Sequence, residues 1–548
     1  MNTNNFSMDG LPDVALLEKL ANQFFSSLQP GSEASPLYEA VSPAPDPLLH
    51  QGSVSDVTQA PTSLPDPHFA NNGGVPSSVA GSGISPSALS RQPASADPSF
   101  EQELQRALKG IPHSSYSAQL PFQGLSYYFL PEQQSAITGA IPQSLDINRV
   151  RADFPILQEH VNGRRLIWLD NAATTQKPRS VIERISQFYE HENSNIHRAA
   201  HELAARATDA YEAAREKVRR FLNAASTNEI VFVRGATEAI NLVAKSWGEQ
   251  FLQPGDEIIL SHLEHHANIV PWQQLAQQKG LQIKVIPVDE DGQLILSAYQ
   301  QLLSNKTKLV SFTQVSNALG TVTPVRQIVE LAHQAGAKVL VDGAQAVSHM
   351  RADVQWLDCD WYVFSGHKVF GPTGIGVLYG KEALLNETQP WQGGGNMIKD
   401  VTFEHTQYQL APGRFEAGTG NIADAVGLGA AIDYVDHIGI DAIQQYEHYL
   451  LVYATQLLKE VPGLRLIGTA PDKTSVLSFV LKDFTTEQVG AALNQEGIAV
   501  RAGHHCAQPI LRRFGVESTV RPSLAFYNSC ADIDALAESL LRLRRSRI

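Results

Sequence analysis

The residue in this chain best placed to make and break a covalent bond is Cys506, in the run RAGHHCAQP (501–509). Arg501, His504 and His505 are its neighbours, and cationic neighbours favour thiolate, the nucleophilic form, over thiol. The same His-His-Cys group could ligate a metal, with EHH (264–266) supplying more histidine. No CxxC spacing supports a tetrahedral site, however, and no metal is expected. Cys359 lies in a strand-entry segment and Cys530 near a helix start, and both read as inert.

Three further runs carry complementary chemistry. SGHK (365–368) follows the apolar run WYVF and precedes the glycine-rich GPTGIGVLYG (371–380). A lysine at the end of a buried strand is desolvated, which lowers its pKa and makes it nucleophilic toward a carbonyl; a solvated lysine is the plainer reading of Lys368. KVLVDGAQAV (338–347) places Asp342 at a strand end, where ligands of an open α/β sheet bind. A carboxylate there can pair with a protonated pyridine nitrogen, or simply cap the next helix. In FVRGATEAINLVAKSW (232–247), Gly235, Ala236 and Thr237 lead into a helix with Ile240, Val243, Ala244 and Trp247 on its apolar face. Free N–H groups and a hydroxyl at a helix start suit a phosphate, although no Walker GK[ST] follows and a plain Thr N-cap fits equally well.

These residues need a scaffold that holds strand ends together. EIIL (257–260), KLVSF (308–312), KVLVD (338–342), WYVFS (361–365) and RLIWLD (165–170) are short continuous apolar runs separated by helical periods. That texture predicts a mostly parallel sheet covered by helices on both faces. Beyond about residue 430 helices and short strands such as SVLSFVL (475–481) predict a smaller α+β domain.

Residues 1–145 differ in kind. They hold 17 of the 30 prolines and four basic against twelve acidic residues, contributing −8 of the formal −14. A segment so rich in Pro, Ser and Gly buries too little apolar surface to offset its ordering entropy, so it is expected to be disordered. Apolar islands at 12–28, 100–108 and 125–131 read as docking motifs or as helices packing on the enzyme itself. The domains expected are therefore 1–145, 146–430, whose first twenty or so residues pack with the small domain, and 431–548. An acidic chain without a basic block argues against nucleic acid and anionic membrane. No apolar run approaches a membrane span. Three cysteines and no secretory pattern at the N-terminus predict a cytoplasmic protein.

From about residue 147 onward the motifs, taken in order, resemble the SufS-like (group II) cysteine desulfurases. These belong to the class V aminotransferase family and share the PLP-dependent transferase fold type I. The motifs are WLDNAATTQKP (168–178), NSNIHRAAH (193–201), RGATEAIN (234–241), EHHANIVPW (264–272), SNALGT (316–321), VDGAQAV (341–347), SGHKVFGPTGIGVLYG (365–380), WQGGG (391–395), RFEAGT (414–419), RAGHHCAQP and RPSLAFYN (521–528). The resemblance implies an α/β fold with a seven-stranded sheet, and pyridoxal 5′-phosphate as cofactor. Lys368 would bind it covalently, Asp342 would meet its ring nitrogen, Gln345 its ring oxygen and His265 its face. Ala236, Thr237, Ser365 and His367 would hold the phosphate, with Thr419 arriving from the other subunit of a homodimer. Arg521 and Asn317 would hold the substrate carboxylate, with Arg501, His197 and Arg198 also at the substrate, and Cys506 would accept its sulfur.

The implied reaction converts L-cysteine to L-alanine and leaves a persulfide on Cys506, for a SufE- or SufU-like acceptor, cluster assembly or sulfur storage. Selenocysteine lyase and cysteine-sulfinate desulfinase are the neighbouring activities. Two positions depart from the family pattern: Gly420 stands where proline is usual and Asn396 where glutamate is usual. The island GLPDVALLEKLANQFFSSL (10–28) and the YYFL segment resemble the extensions of cysteine desulfurases packaged in family 2 encapsulin shells. That second resemblance implies an enzyme inside a protein nanocompartment, held by several weak motifs acting together.

Overall fold

The computed structural model describes residues 145–197 and 200–546. The extension expected over residues 1–145 lies outside them except for Leu145, as does Arg198. Seven strands make the central sheet: β1 Ile230–Val233, β2 Glu257–Ser261, β3 Gln282–Ile286, β4 Thr307–Thr313, β5 Lys338–Asp342, β6 Trp361–Ser365 and β7 Gly376–Gly380. Their order is β1-β7-β6-β5-β4-β2-β3. β7 runs antiparallel to both β1 and β6, and the remaining pairs are parallel. This is the mostly parallel seven-stranded sheet of PLP fold type I.

Every residue of β1, β2, β6 and β7 is buried, which is why those runs are apolar without alternation. Successive side chains still leave on opposite faces. Ile230, Phe232, Ile259, Val310, Val339 and Phe364 enter one core. Helices α1 Glu202–Phe221, α4 Val325–Gln334 and α5 Ile422–Ile438 cover it. Val231, Val233, Ile258, Leu260, Leu309 and Val363 enter the other core, beneath α2 Ala236–Val243 and α3 Val270–Lys279. The helix–sheet–helix layering fixes the strand ends against one another, which is what a site built from them requires.

The C-terminal part forms a second sheet from β8 Leu464–Leu466, β9 Phe479–Leu481, β10 Arg501–Gly503 and β11 Thr519–Arg521, ordered β8-β9-β11-β10 and antiparallel throughout. Helices α6 Ile440–Lys459, α7 Thr486–Gln495 and α8 Cys530–Arg545 share its core through Leu450, Leu458, Leu493 and Leu536. Ser529 and Asp532 form a capping box at the start of α8. Residue 430 falls inside α5, whose buried side chains stay with the large core as far as Val435. The early segment fastens to the C-terminal part outside that sheet. Ile167–Trp168 pairs in parallel with Ile498–Ala499, and Arg151 donates to Tyr527 O and Asp532 Oδ2 at 2.8 and 2.7 Å. Among the described residues no helix is long and apolar enough to cross a membrane.

Candidate active site

The carboxyl ends of β4, β5 and β6, the start of α2 and the loop after β10 enclose a cavity of about 710 Å³. Lys368 ends the single turn Gly366–Lys368 that follows β6. Burial lowers its ammonium to about 8, against the opposing pull of Asp342, so the amine is readily available unprotonated. Asp342 is the last residue of β5 and is buried. Its Oδ1 accepts from Ala344 N–H at 2.9 Å. Burial raises the carboxyl, while that N–H and Lys368 draw it back down. A Cβ on the intervening Gly343 would lie 2.0 Å from the Tyr362 ring, so the turn leaving β5 has room only for glycine.

The start of α2 faces the same space. Ala236 N–H donates to Ser365 Oγ at 2.9 Å, and Thr237 and His367 line the wall beside them. Close approach makes this corner: a Cβ on Gly376, the first residue of β7, would fall 2.5 Å from the Cα of Gly235 at the N-cap of α2, which accounts for glycine at position 376. Burial, then Lys368 and Lys177, lower His367 to about 4, so its ring is neutral at physiological pH. On the far wall, burial and then Lys368 lower His265 to about 3, and its Nδ1 accepts from Ala267 N–H at 3.0 Å. Behind it sits Glu264, wholly buried and raised by that burial to about 8. Asn268 Nδ2 and Thr313 N–H donate to Glu264 at 2.6 and 3.1 Å, and Ser261 is also bonded to it. The EHHAN loop is thus pinned from beneath.

Cys506 is exposed at the cavity rim. Both His505 and Cys506 have φ of 53°, a left-handed pair outside glycine. The loop is held by Cys506 O, which accepts from His266 N–H at 2.7 Å, and by Cys506 N–H, which donates to His504 Nδ1 at 3.1 Å. The cationic surroundings read from the sequence are only partly present. His505 is 7% exposed, lies 2.8 Å from Thr519 Oγ1 through Nε2, and is lowered to about 2 by burial, so it brings no charge. Arg501 spends its guanidinium on Asp170 Oδ2, at 3.0 and 2.8 Å.

Asp170 also accepts from Arg521 Nη2 at 3.3 Å through Oδ1, and Arg521 Nη1 donates to Asn317 O at 3.0 Å. Asn317 in turn donates through Nδ2 to His505 O at 2.7 Å, linking the arginine to the cysteine loop. The structure therefore brings together Lys368, Asp342, Gln345, His265, Ala236, Thr237, Ser365, His367, Asn317, Arg501, Arg521 and Cys506 around one cavity. Two residues sit elsewhere in this copy of the chain. Thr419 borders a second cavity of about 600 Å³, with Tyr211, Glu416 and Trp391. His197 lies 2.8 Å from Glu212 beside Tyr211.

Reading residues by motif missed several that the fold recruits. Asp170, Glu264 and His266 lay inside quoted motifs, and charged or ring residues bound for burial were the available signal. His349 and Glu447 are 98 positions apart and meet at 2.5 Å, a contact that no spacing announces.

Pyridoxal 5′-phosphate fits the donor set. Neutral His367, the two hydroxyls and the α2 N–H groups suit a phosphate, buried Asp342 suits a basic ring nitrogen, and Lys368 suits a carbonyl carbon. Gln345 lines the same wall, and its buried Oε1 has no hydrogen-bond partner among the described residues.

Comparison with known proteins agrees with this geometry. The aminotransferase class-V family model matches residues 167–536. A cysteine desulfurase of Synechococcus elongatus is 72% identical over 399 residues, which are 73% of this chain and 64% of that protein. The chain thus spans less than two thirds of that relative. A cysteine desulfurase of Dickeya dadantii is 54% identical across 73% of this chain and 97% of its own length. The crystal structure of the cysteine desulfurase CsdA from Escherichia coli, in S-sulfonic acid form, superposes with a TM-score of 0.69. It is 41% identical and covers 73% of this chain and 99% of that one.

Proposed function

The chain belongs to the class-V aminotransferase family, and on that footing we propose that it is a PLP-dependent cysteine desulfurase of the SufS-like group. The observation that carries the reading is the convergence of buried Lys368 and Asp342 with exposed Cys506 on one cavity. Asp342 would hold the ring nitrogen, Gln345 the ring oxygen, His265 the ring face, and Ala236, Thr237, Ser365 and His367 the phosphate. Thr419 would join them from a second copy of the chain, consistent with its place outside this copy's cavity.

Pyridoxal 5′-phosphate bound there supplies an electron sink that acidifies the substrate Cα–H and weakens its Cβ–sulfur bond. Arg521 and Asn317 orient the substrate carboxylate, with Arg501, His197 and Arg198 assigned to the entrance. Lys368 Nζ, its ammonium lowered by burial to about 8, takes the Cα proton as the free amine. Cys506 Sγ attacks the substrate sulfur. The Cβ–S bond breaks with its electron pair left on the carbon skeleton, sulfur stays on Cys506 as a persulfide, and Cβ and Cα each take a proton, the latter from Lys368, before the skeleton departs as L-alanine.

Cys506→Ala tests this. Alanine release from cysteine is expected to fall at least about 100-fold, with no persulfide detected by mass spectrometry and the visible cofactor absorbance unchanged. A variant that still desulfurates cysteine at full rate removes Cys506 from the reaction. Full activity on selenocysteine alone would move the reading to a selenocysteine lyase.

For residues 1–145 we propose packaging into an encapsulin-type shell, on the apolar islands alone. A cytoplasmic location accords with three free cysteines, and the persulfide's acceptor would be a SufE- or SufU-like protein. Native particle sizing of the full chain against a chain starting near residue 146 tests the packaging. Equal dimers with no shell protein would end that proposal.

A further inference from the structure

The run WLDNAATTQKP (168–178) ties the C-terminal part of the chain to the turn that carries Lys368. At its start Trp168 pairs with Ala499, and Asp170 holds Arg501 and Arg521. Further along, Asn171 Nδ2 donates to Ser523 O at 2.6 Å, and Gln176 N–H donates to the Tyr527 hydroxyl at 3.0 Å. The middle of the run closes on His367 O. Thr175 N–H and the Thr174 hydroxyl donate to that oxygen at 3.0 Å, and the Thr175 hydroxyl and Lys177 Nζ at 3.2 Å. Thr175 Oγ1 also accepts from Phe370 N–H at 2.8 Å, two residues beyond Lys368, where φ is 62°.

Lys177 is the unusual member of this group. Its Nζ donates to Thr175 O, to His367 O at 3.2 Å and to Thr174 Oγ1 at 3.3 Å, three acceptors for the three N–H groups of an ammonium. All three acceptors are uncharged, and burial alone lowers the group, to about 8. Holding a cation among neutral oxygens away from water is unfavourable, and groups perturbed in this way cluster where geometry matters to function. The geometry held here is that of a peptide unit. Such a unit is planar, so His367 O, Lys368 N and Lys368 Cα share one plane. A carbonyl oxygen has two lone pairs, so four donors share them and leave the plane little freedom to rotate. Fixing it sets the point from which the Lys368 side chain starts.

We propose that Lys177 and Thr175 are positioning residues for Lys368: by gripping His367 O ahead of it and Phe370 N–H behind it, they hold its backbone where Nζ meets the substrate Cα–H. Thr174 borders the cavity, whereas Lys177 and Thr175 stand behind its wall, so these two act on the reaction through the turn alone. The proposal rests on the role given to Lys368 above and adds two residues that touch neither cofactor nor substrate.

Single turnovers of the cofactor-loaded full chain test this, followed by rapid-mixing absorbance with L-cysteine and with L-cysteine deuterated at Cα. The step that deuteration slows is removal of the Cα proton. In Lys177→Met, which keeps an apolar stem and deletes the three donors, that step is expected to slow about tenfold while cysteine binding is unchanged. Thr175→Val should act in the same direction, and the double variant should lose less than the product of the two single losses, because both residues hold one oxygen. An unchanged proton-removal step in Lys177→Met overturns the proposal, whether the chain only melts lower, only holds pyridoxal 5′-phosphate more weakly or does not change at all. Fully multiplicative losses overturn the shared grip. A Lys368→Ala chain, loaded with pyridoxal 5′-phosphate, that removes the Cα proton at the wild-type rate counts instead against the role of Lys368.

Discussion

Arg521 is buried to 2% exposure and donates through Nη2 to Asp170 Oδ1 at 3.3 Å. Burial lowers its guanidinium to about 10, which Asp170 opposes. The same carboxylate anchors half-exposed Arg501, so one side chain neutralises a buried cation and fixes a second at the cavity entrance. Removing one partner of a buried pair costs about 3–5 kcal/mol, since the other charge stays behind. Asp170→Asn is accordingly expected to lower the unfolding free energy of the cofactor-free protein by about 3 kcal/mol, measured by urea denaturation at pH 7. A loss below about 1 kcal/mol would mean that Asn317 O alone supports the guanidinium.

Gly343 separates Asp342 from the Ala344 N–H that it accepts, and Tyr362 occupies the place where a side chain would go. The Tyr362 hydroxyl is itself committed to Gln314 Oε1 at 2.6 Å, so the ring cannot give way cheaply. Gly343→Ala is expected to destabilise by about 3 kcal/mol, at the upper end for an overpacked core. Cofactor retention on dialysis should fall with it, because the turn carrying Asp342 and Gln345 must shift. Calorimetry and the visible absorbance of the dialysed protein check both; an unchanged melting temperature would show that the turn accommodates a methyl group.

The sheet was legible because most of its strands are buried on both faces, which writes them as unbroken apolar runs such as WYVFS; the half-exposed edge strand β3 is not such a run. The strand-end positions of Lys368 and Asp342 followed from the same reading. The electrostatics did not follow. Proximity in sequence made His505 look like a cation beside Cys506, but its ring turns inward to Thr519 and burial keeps it neutral. The contacts from Asp170 to Arg521, and from His349 to Glu447, join segments 351 and 98 residues apart. Long-range polar pairs leave no periodic trace, so only the fold reveals them.

His505 also sets a pH response. In the folded chain burial holds it at about 2, whereas an unfolded histidine titrates near 6.5. Between those values the unfolded chain binds a proton that the folded chain does not, so stability rises with pH there and is lost as pH falls below about 6.5. From pH 7 to pH 5 this one residue should cost about 2 kcal/mol. His505→Asn removes the titration, and asparagine tolerates the 53° φ and can still meet Thr519 Oγ1. Urea midpoints at pH 7 and pH 5 are therefore expected to differ less in the variant, by about 2 kcal/mol once converted to free energy. An equal acid loss in both proteins would mean that His505 accepts its proton without unfolding, through an opening of the Cys506 loop.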